Sequence, residues 1–384
     1  MPTIKGLVTA SKGLVARELA YKSVKAGYAL LFMTFRCTSC CEMCTIWKRG
    51  QNHSVEEELT LHDWEIIIDE LAEENILLFE LFGGDSLLRK DLTIPLIKYI
   101  KKKIENAFID LPTNCNLLDR NTAIQLVESG LDRIYVSLDG PTESHDKIRG
   151  SNGTFNSVQK ALEYLVEAKK DLNSNTPSII INCTVSSLNV HNFEQVLPII
   201  NKIGIDGIDF EYVGEFKAEN ISNSIVEGIK PKPFYISLDE SNLLNRQEAV
   251  LLKKKINEIK KTAVNYKFLV STKHIDSLTI DDLINGIIPN KRCYICHSMV
   301  TIDPFGNVMG CLHYNNYLYG NLKDTPFAHI WKNRKHLIFL ESQSSGKIKI
   351  CNNCVSGVIR NATLHQTIYR SAYFKIKGEG LDSP

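Results

Sequence analysis

Two rhythms of apolar and polar positions alternate through the first half of the chain. Short apolar runs fall at residues 28–35, 76–82, 107–111, 133–138, 178–185 and 207–212. Between them lie the longer segments 61–74, 92–105, 121–129, 154–172 and 190–203. In the first of these, "LHDWEIIIDELAEE", apolar residues recur at three- and four-residue steps, the spacing of a helix with one buried face. Strands alternating with helices of this length predict βα units around a parallel sheet, an α/β fold. Six such units predict an open or closed barrel, and periodicity leaves a flat doubly wound sheet as the alternative.

The pattern changes after residue 212. Residues 217–235 have no clear period and contain "KPKPF", which reads as a loop. Residues 238–263 read as a helix with a solvated lysine-rich face. From about residue 290 the chain is cysteine-bearing and rich in turns. "TIDPFGNVMGC" predicts a small β-hairpin that ends on Cys311. These shifts divide the chain into an N-terminal helical extension (1–27), a barrel core (28–215), a helical linker region (216–289) and a C-terminal cysteine-rich α+β region with its tail (290–384).

Charge excludes one class of partner. Of 384 residues, 45 are Lys or Arg and 44 are Asp or Glu, a formal net charge of +1. No clustered cationic excess is present for a polyanion, so nucleic acid is not an expected partner. The strongest N-terminal apolar run, "YALLFMTF", is far short of the ~20 residues a membrane-spanning helix needs. A membrane partner is not expected, and without a recognisable cleavage signal a cytoplasmic location is.

The cysteines narrow the chemistry further. There are 11 of them, and in a reducing compartment closely spaced cysteines serve as metal ligands more often than as disulfides. Cys115 and Cys183 stand alone and read as small buried residues. The others form two groups, Cys37, Cys40, Cys41 and Cys44, then Cys293, Cys296, Cys311, Cys351 and Cys354.

The first group, "CTSCCEMC", admits two registers. Paired Cys-x2-Cys would make an all-cysteine zinc site, but adjacent Cys40 and Cys41 suit this poorly because neighbouring side chains point apart. Cys37-x3-Cys41-x2-Cys44 instead gives three thiolates on one loop, leaving one iron of a four-iron cluster without a protein ligand. In that register the stretch resembles the signature of the radical S-adenosylmethionine (SAM) superfamily, and later segments resemble that family in order. "LFGGDSLL" resembles its Gly-Gly-Glu-Pro segment, with Asp85 for the usual Glu and Ser86 for the usual Pro. "LPTNCNLL" resembles its Thr-Asn-Gly segment, with Cys115 in the glycine position. "IYVSLDG" resembles its Ser-Leu-Asp-Gly strand, and "HDKIRGSNGTF" follows as in many members with additional iron–sulfur clusters.

The resemblance implies a partial (βα)6 TIM-like barrel with a [4Fe–4S] cluster on Cys37, Cys41 and Cys44 and Cys40 as a bystander. It further implies SAM bound by Gly83, Gly84, Asp85, Ser137 and Asn182, with Met43 against the adenine. The second group resembles the family's C-terminal SPASM or twitch auxiliary-cluster regions. "CNNCVSGVIRNATLH" lacks the further cysteines of the longer type, which favours the shorter twitch type and one auxiliary [4Fe–4S] cluster on Cys293, Cys311, Cys351 and Cys354. Cys296 is an alternative to Cys293 that spacing leaves open.

The expected activity is reductive cleavage of SAM to a 5′-deoxyadenosyl radical that abstracts a substrate hydrogen. Oxidation of a small molecule with the auxiliary cluster as electron acceptor is the favoured outcome, an oxidoreductase-type reaction. Peptide modification and sugar epimerisation are the alternatives. A peptide is disfavoured because about 36 residues precede Cys37, fewer than a leader-recognition domain needs. A flavodoxin or ferredoxin is the expected electron donor. A non-enzymatic zinc-binding module is the competing class.

Overall fold

The structure, a computed structural model, describes residues 23–235, 241–288, 293 and 295–355. The expected N-terminal extension therefore lies largely, and the C-terminal tail wholly, outside the described residues. Ten strands form one sheet in the order β10-β9-β8-β1-β2-β3-β4-β5-β6-β7. They are β1 (Tyr28–Phe32), β2 (Leu78–Phe82), β3 (Phe108–Thr113), β4 (Arg133–Ser137), β5 (Ser178–Val185), β6 (Gly207–Tyr212), β7 (Leu269–Ser271), β8 (Met299–Ile302), β9 (Asn307–Met309) and β10 (Leu318–Asn321). All six predicted strands are present and pair in parallel.

Two further parallel strands extend this core. Strand β7, from the expected linker region, pairs with β6, and β8 pairs with β1. The predicted cysteine-region hairpin is β8–β9, and β10 adds to it antiparallel. Its turn is set by the Asp303 carboxylate, which accepts the backbone N–H groups of Phe305 and Asn307, both at 2.9 Å. The cysteine-rich region thus continues the barrel sheet. Strand β7 has only three residues, too few to register as a period.

Helices cover one face of the sheet. Helix Leu61–Glu73 buries Trp64, Ile67, Ile68 and Leu71 and starts at a capping box between Thr60 and Asp63. Helix Thr154–Asp171 buries Val158, Ala161, Leu162 and Leu165 along one stripe. The helix predicted over 190–203 is instead a 3-10 turn, Phe193–Gln195, and a short helix, Val196–Ile200. The Asn189 side chain bonds the backbone of Ser186, Thr184 and Asp139 at 2.6–2.9 Å, holding the preceding chain in turns.

The strands alternate although parallel sheets are commonly buried on both faces. Ile179, Ile181, Cys183 and Val185 of β5 are buried while Ser178, Ile180, Asn182 and Thr184 are half-buried. The other face of β5 is thus partly polar, while Leu30 and Phe32 of β1 and Met299 of β8 join an apolar cluster with Phe35 and Phe234. At the amino ends of the strands Arg133 makes a two-pronged ion pair with Asp110, both bonds 2.7 Å, and Tyr28 donates to Glu80. Those groups occupy that end and leave the carboxyl ends, where open α/β sheets bind ligands, for the site.

Candidate active site

The loop after β1 carries the first cysteine group, and backbone contacts hold it on the end of β2. Gly84 N–H donates to Thr34 O and Asp85 N–H to Arg36 O, both at 2.9 Å. A Cβ would lie 2.4 Å from Thr34 O at Gly83 and 2.2 Å from Arg36 O at Gly84. Both glycines thus let the cluster loop approach main chain to main chain.

Beneath the loop Glu58 is buried, accepting from Thr34 Oγ1 and pairing with Arg89 at 2.6 Å and Arg36 at 3.6 Å. Glu58→Ala would leave the Arg89 guanidinium only its exposed partner Asp91 at 3.4 Å and is expected to cost about 3 kcal/mol, as loss of one partner of a buried ion pair does. A lowered urea midpoint checks this, with Glu58→Gln expected to fall between the two.

Of the Cys-x3-Cys-x2-Cys register, Cys41 is buried and Cys37 and Cys44 are half-buried, while Cys40 is exposed. Burial first, then the nearby Cys41 and Cys44 sulfurs and Asp85, push the Cys37 thiol up to about 12. Burial and Cys41 push Cys44 up to about 12 as well. Hydrogen bonds reach two of the sulfurs. Cys37 Sγ accepts from Ser39 N–H at 3.4 Å and from Asn114 Nδ2 at 3.7 Å, and Cys41 Sγ accepts from Arg149 Nη1 at 3.8 Å.

The other expected SAM contacts are arrayed along the carboxyl ends of the strands. Ser137 pairs with Asn182 across β4 and β5. Asn182 donates from Nδ2 to Glu211 at 3.3 Å, while its Oδ1 is buried with no hydrogen-bond partner among the described residues. That orphaned oxygen and the backbone cradle fit a polar ligand lying over the strand ends. Asp85 is buried and engaged, accepting from Thr38 at 2.8 Å, Leu87 N–H at 3.2 Å and Thr113 at 3.4 Å. Met43 is packed on the main core.

Sequence reasoning gave no role to Asn114, Ser39 or Arg149. The first lies in "PTNCN" and the third in "HDKIRG", motifs noted above whose individual side chains spacing could not aim. Cys115 occupies φ +64°, a left-handed position that explains glycine's frequency there.

The second site is a small pocket of about 40 Å³ lined by Cys293, Cys296, Cys311, Cys351 and Cys354 with apolar Phe216, Phe339, Ile348 and Ile350. All five second-group cysteines therefore meet. Cys293, Cys354 and Cys311 act on Cys351, and Cys354 and Cys293 act on Cys311, raising both thiols beyond the effect of burial. Cys296, fully buried, donates to Gln343 Oε1 at 3.9 Å. The donor set, thiols in an apolar pocket, fits an iron–sulfur cluster.

One segment joins the two sites. Phe234 O accepts from both Thr45 N–H (2.8 Å) and Thr45 Oγ1 (2.9 Å), immediately after Cys44. The next residue, Tyr235, accepts from Phe216 N–H at 3.0 Å and sets its ring 5.2 Å from that of His313, both residues of the second cavity's wall.

A parallel βα barrel with a three-thiol loop over its strand ends, followed by a thiol-lined pocket, defines a radical SAM class of protein. Residues 31–185 match the model of the radical SAM superfamily and residues 293–355 that of the SPASM iron–sulfur cluster-binding domain. The chain thus carries a radical SAM domain followed by a SPASM-type domain. SAM and [4Fe–4S] chemistry are its cofactors, and the iron–sulfur character of the second domain sets aside the zinc-module reading.

The chain is 26% identical over 370 residues to the Fe-coproporphyrin III synthase of Methanosarcina barkeri, covering 89% of this chain and 86% of that one. It is 24% identical over 339 residues to the AdoMet-dependent heme synthase of Nitratidesulfovibrio vulgaris, covering 84% and 85%. Among solved structures, Streptococcus suis SuiB bound to its precursor peptide SuiA superposes with a TM-score of 0.61 at 14% identity, covering 90% of this chain and 76% of that one. Among the described residues no helix is long and apolar enough to cross a membrane.

Proposed function

We propose that the chain cleaves SAM reductively at a cluster held by Cys37, Cys41 and Cys44 and uses the resulting radical to oxidise a small molecule. The observation that carries this reading is that Cys37, Cys41 and Cys44 lie near enough to act on one another's charge while Cys40 is exposed. When bound and reduced, the cluster supplies the electron that splits SAM into methionine and a 5′-deoxyadenosyl radical, which takes a hydrogen atom from a substrate C–H bond.

The chain's own groups position these partners. The edge of β2 at Gly83–Gly84 offers backbone to the SAM amino group, and Ser137 and Asn182 Oδ1 face its remaining polar groups. Asp85 acts one step back, holding Thr38 of the cluster loop. Met43 borders the adenine. Cys293, Cys311, Cys351 and Cys354 hold one auxiliary cluster, and the Phe234–Tyr235 segment spans the way to it. Loss of a hydrogen atom, a second electron and a proton would make the outcome a two-electron oxidation, for which a cluster held by Cys293, Cys311, Cys351 and Cys354 would supply the acceptor of the second electron. A flavodoxin or ferredoxin supplies the first.

The two relatives that align along most of this chain are named for iron-porphyrin products, which supports a small molecule and makes an iron porphyrin the first substrate to test. The peptide alternative is supported by fold likeness to SuiB and by PqqA peptide cyclases that are 25–29% identical over under half of this chain.

The test is anaerobic reconstitution followed by SAM and dithionite, with and without iron-coproporphyrin III. We expect 5′-deoxyadenosine at a basal rate, raised at least tenfold by the substrate, together with an oxidised product by mass. A fully loaded protein that leaves SAM intact would overturn the enzyme reading. Deoxyadenosine without stimulation would overturn the porphyrin.

A further inference from the structure

We infer that Arg149 is a positioning residue that sets the reduction potential of the cluster on Cys37, Cys41 and Cys44, its guanidinium placing a fixed positive charge and an N–H donor at the Cys41 sulfur. The inference rests on the cluster assignment proposed above and adds a determinant of its redox poise.

Three observations carry it. Arg149 ends the helix Thr142–Arg149 directly behind the cluster loop, where Cys40 N–H donates to Arg149 O and Glu42 N–H to Ile148 O, both at 3.1 Å. The next residue, Gly150 at φ +68°, packs so closely that a Cβ would sit 2.6 Å from Cys40 O. These contacts are all main chain, so the loop is braced by atoms that any residue at position 149 would supply.

The side chain is committed elsewhere. It is only 11% exposed, with Nη2 2.6 Å from Asp139 Oδ2 and Nη1 3.8 Å from Cys41 Sγ. Asp139 is itself fixed, its side chain fully buried and its Oδ1 accepting Thr184 N–H at 3.0 Å. Two prongs on two different acceptors require the guanidinium fork, which a lysine lacks.

The physical consequence has a sign. Net charge nearby and hydrogen bonds to the sulfurs are two of the levers that set an iron–sulfur potential. One-electron reduction by dithionite or a flavodoxin-type donor adds one negative charge to the cluster. A buried cation and an N–H···S bond favour the more negative state and so raise the potential. Asp139 opposes this with a negative charge that Cys41 feels less than the Arg149 cation hydrogen-bonded to its sulfur. Arg149 and Asp139 therefore act in opposite directions on the couple, although they brace each other mechanically.

That opposition is the test. Reconstituted wild type, Arg149→Gln, Arg149→Lys and Asp139→Asn are titrated with dithionite, following by electron paramagnetic resonance the cluster whose signal changes on adding SAM. Arg149→Gln is expected to lower the equilibrium constant for reduction at least tenfold, ~59 mV for one electron. Asp139→Asn is expected to raise it, and Arg149→Lys to lie nearer wild type than Arg149→Gln.

A purely mechanical brace predicts that breaking the pair from either side moves the potential the same way or not at all. That result, at wild-type iron content, overturns the inference. If Arg149→Gln holds no iron, Asp139→Asn decides alone, and an unchanged or lowered potential overturns it. A wild-type protein that binds no iron at Cys37, Cys41 and Cys44 is a different failure, that of the cluster assignment itself.

Discussion

Replacing Cys37, Cys41 and Cys44 together by alanine is expected to abolish 5′-deoxyadenosine formation and to lower the iron content from about eight to about four atoms per chain. The loss is total because no other thiol stands where these three do. Cys40, the nearest, is exposed, and Cys115 is buried beyond the loop at 1% exposure. The variant is expected to fold, since the loop's seat is made by main-chain bonds from Gly84 and Asp85 and by Glu58 beneath it, none of which involves a cysteine. Retention of four irons is the internal control, because the second cavity lies on the far side of Phe234 and Tyr235. Retention of about eight irons with SAM cleavage would reject the assignment, and Cys40→Ala alone is expected to change neither quantity.

The barrel strands were legible because each carries enough residues to display a period. Strand β5, with eight alternating residues, was placed to the residue from sequence. Strand β7 was not, because three residues carry no period and it exists only by pairing with β6. The helix expected over 190–203 shows the opposite error. Its apolar spacing is helical, but the Asn189 side chain pins the chain just before it in turns and the regular helix begins only at Val196, which hydrophobic pattern does not record.

The cysteines were legible as ligands by type and spacing, and the structure brings each group together. Their surroundings were not. That Asn114 points at Cys37 and Arg149 at Cys41 depends on where β3 and the helix Thr142–Arg149 end relative to a loop far away in sequence. Separations of 77 and 108 residues place such contacts beyond any local pattern. The glycines illustrate a subtler limit. Gly83 and Gly84 were read as room for a ligand, and their immediate neighbour is the backbone of the cluster loop itself.

Spacing leaves Cys293 and Cys296 as rivals, both line the pocket, and replacing each one gives a different expected result. Cys293 and Cys354 act on both Cys311 and Cys351, four thiols that would complete a cluster without an open iron, while Cys296 hydrogen-bonds Cys293 and also feels Cys311 and Cys351. Cys296 lies deeper, at 2% exposure, directed to Gln343 on the helix Arg334–Ser344, with its backbone carbonyl against His336 Nε2 at 2.8 Å. Cys293→Ala is expected to remove about four irons and to abolish oxidised product, while 5′-deoxyadenosine still forms because the first cluster is untouched. Cys296→Ala is expected to keep about eight irons and product formation, with at most a modest loss of stability from the small cavity it leaves, about 1 kcal/mol. The reverse pattern would make Cys296 the ligand and Cys293 the spare thiol. Loss of four irons with product yield unchanged would separate the pocket from the electron path, and the second electron would then have to leave by another route than Tyr235 and the cavity behind it.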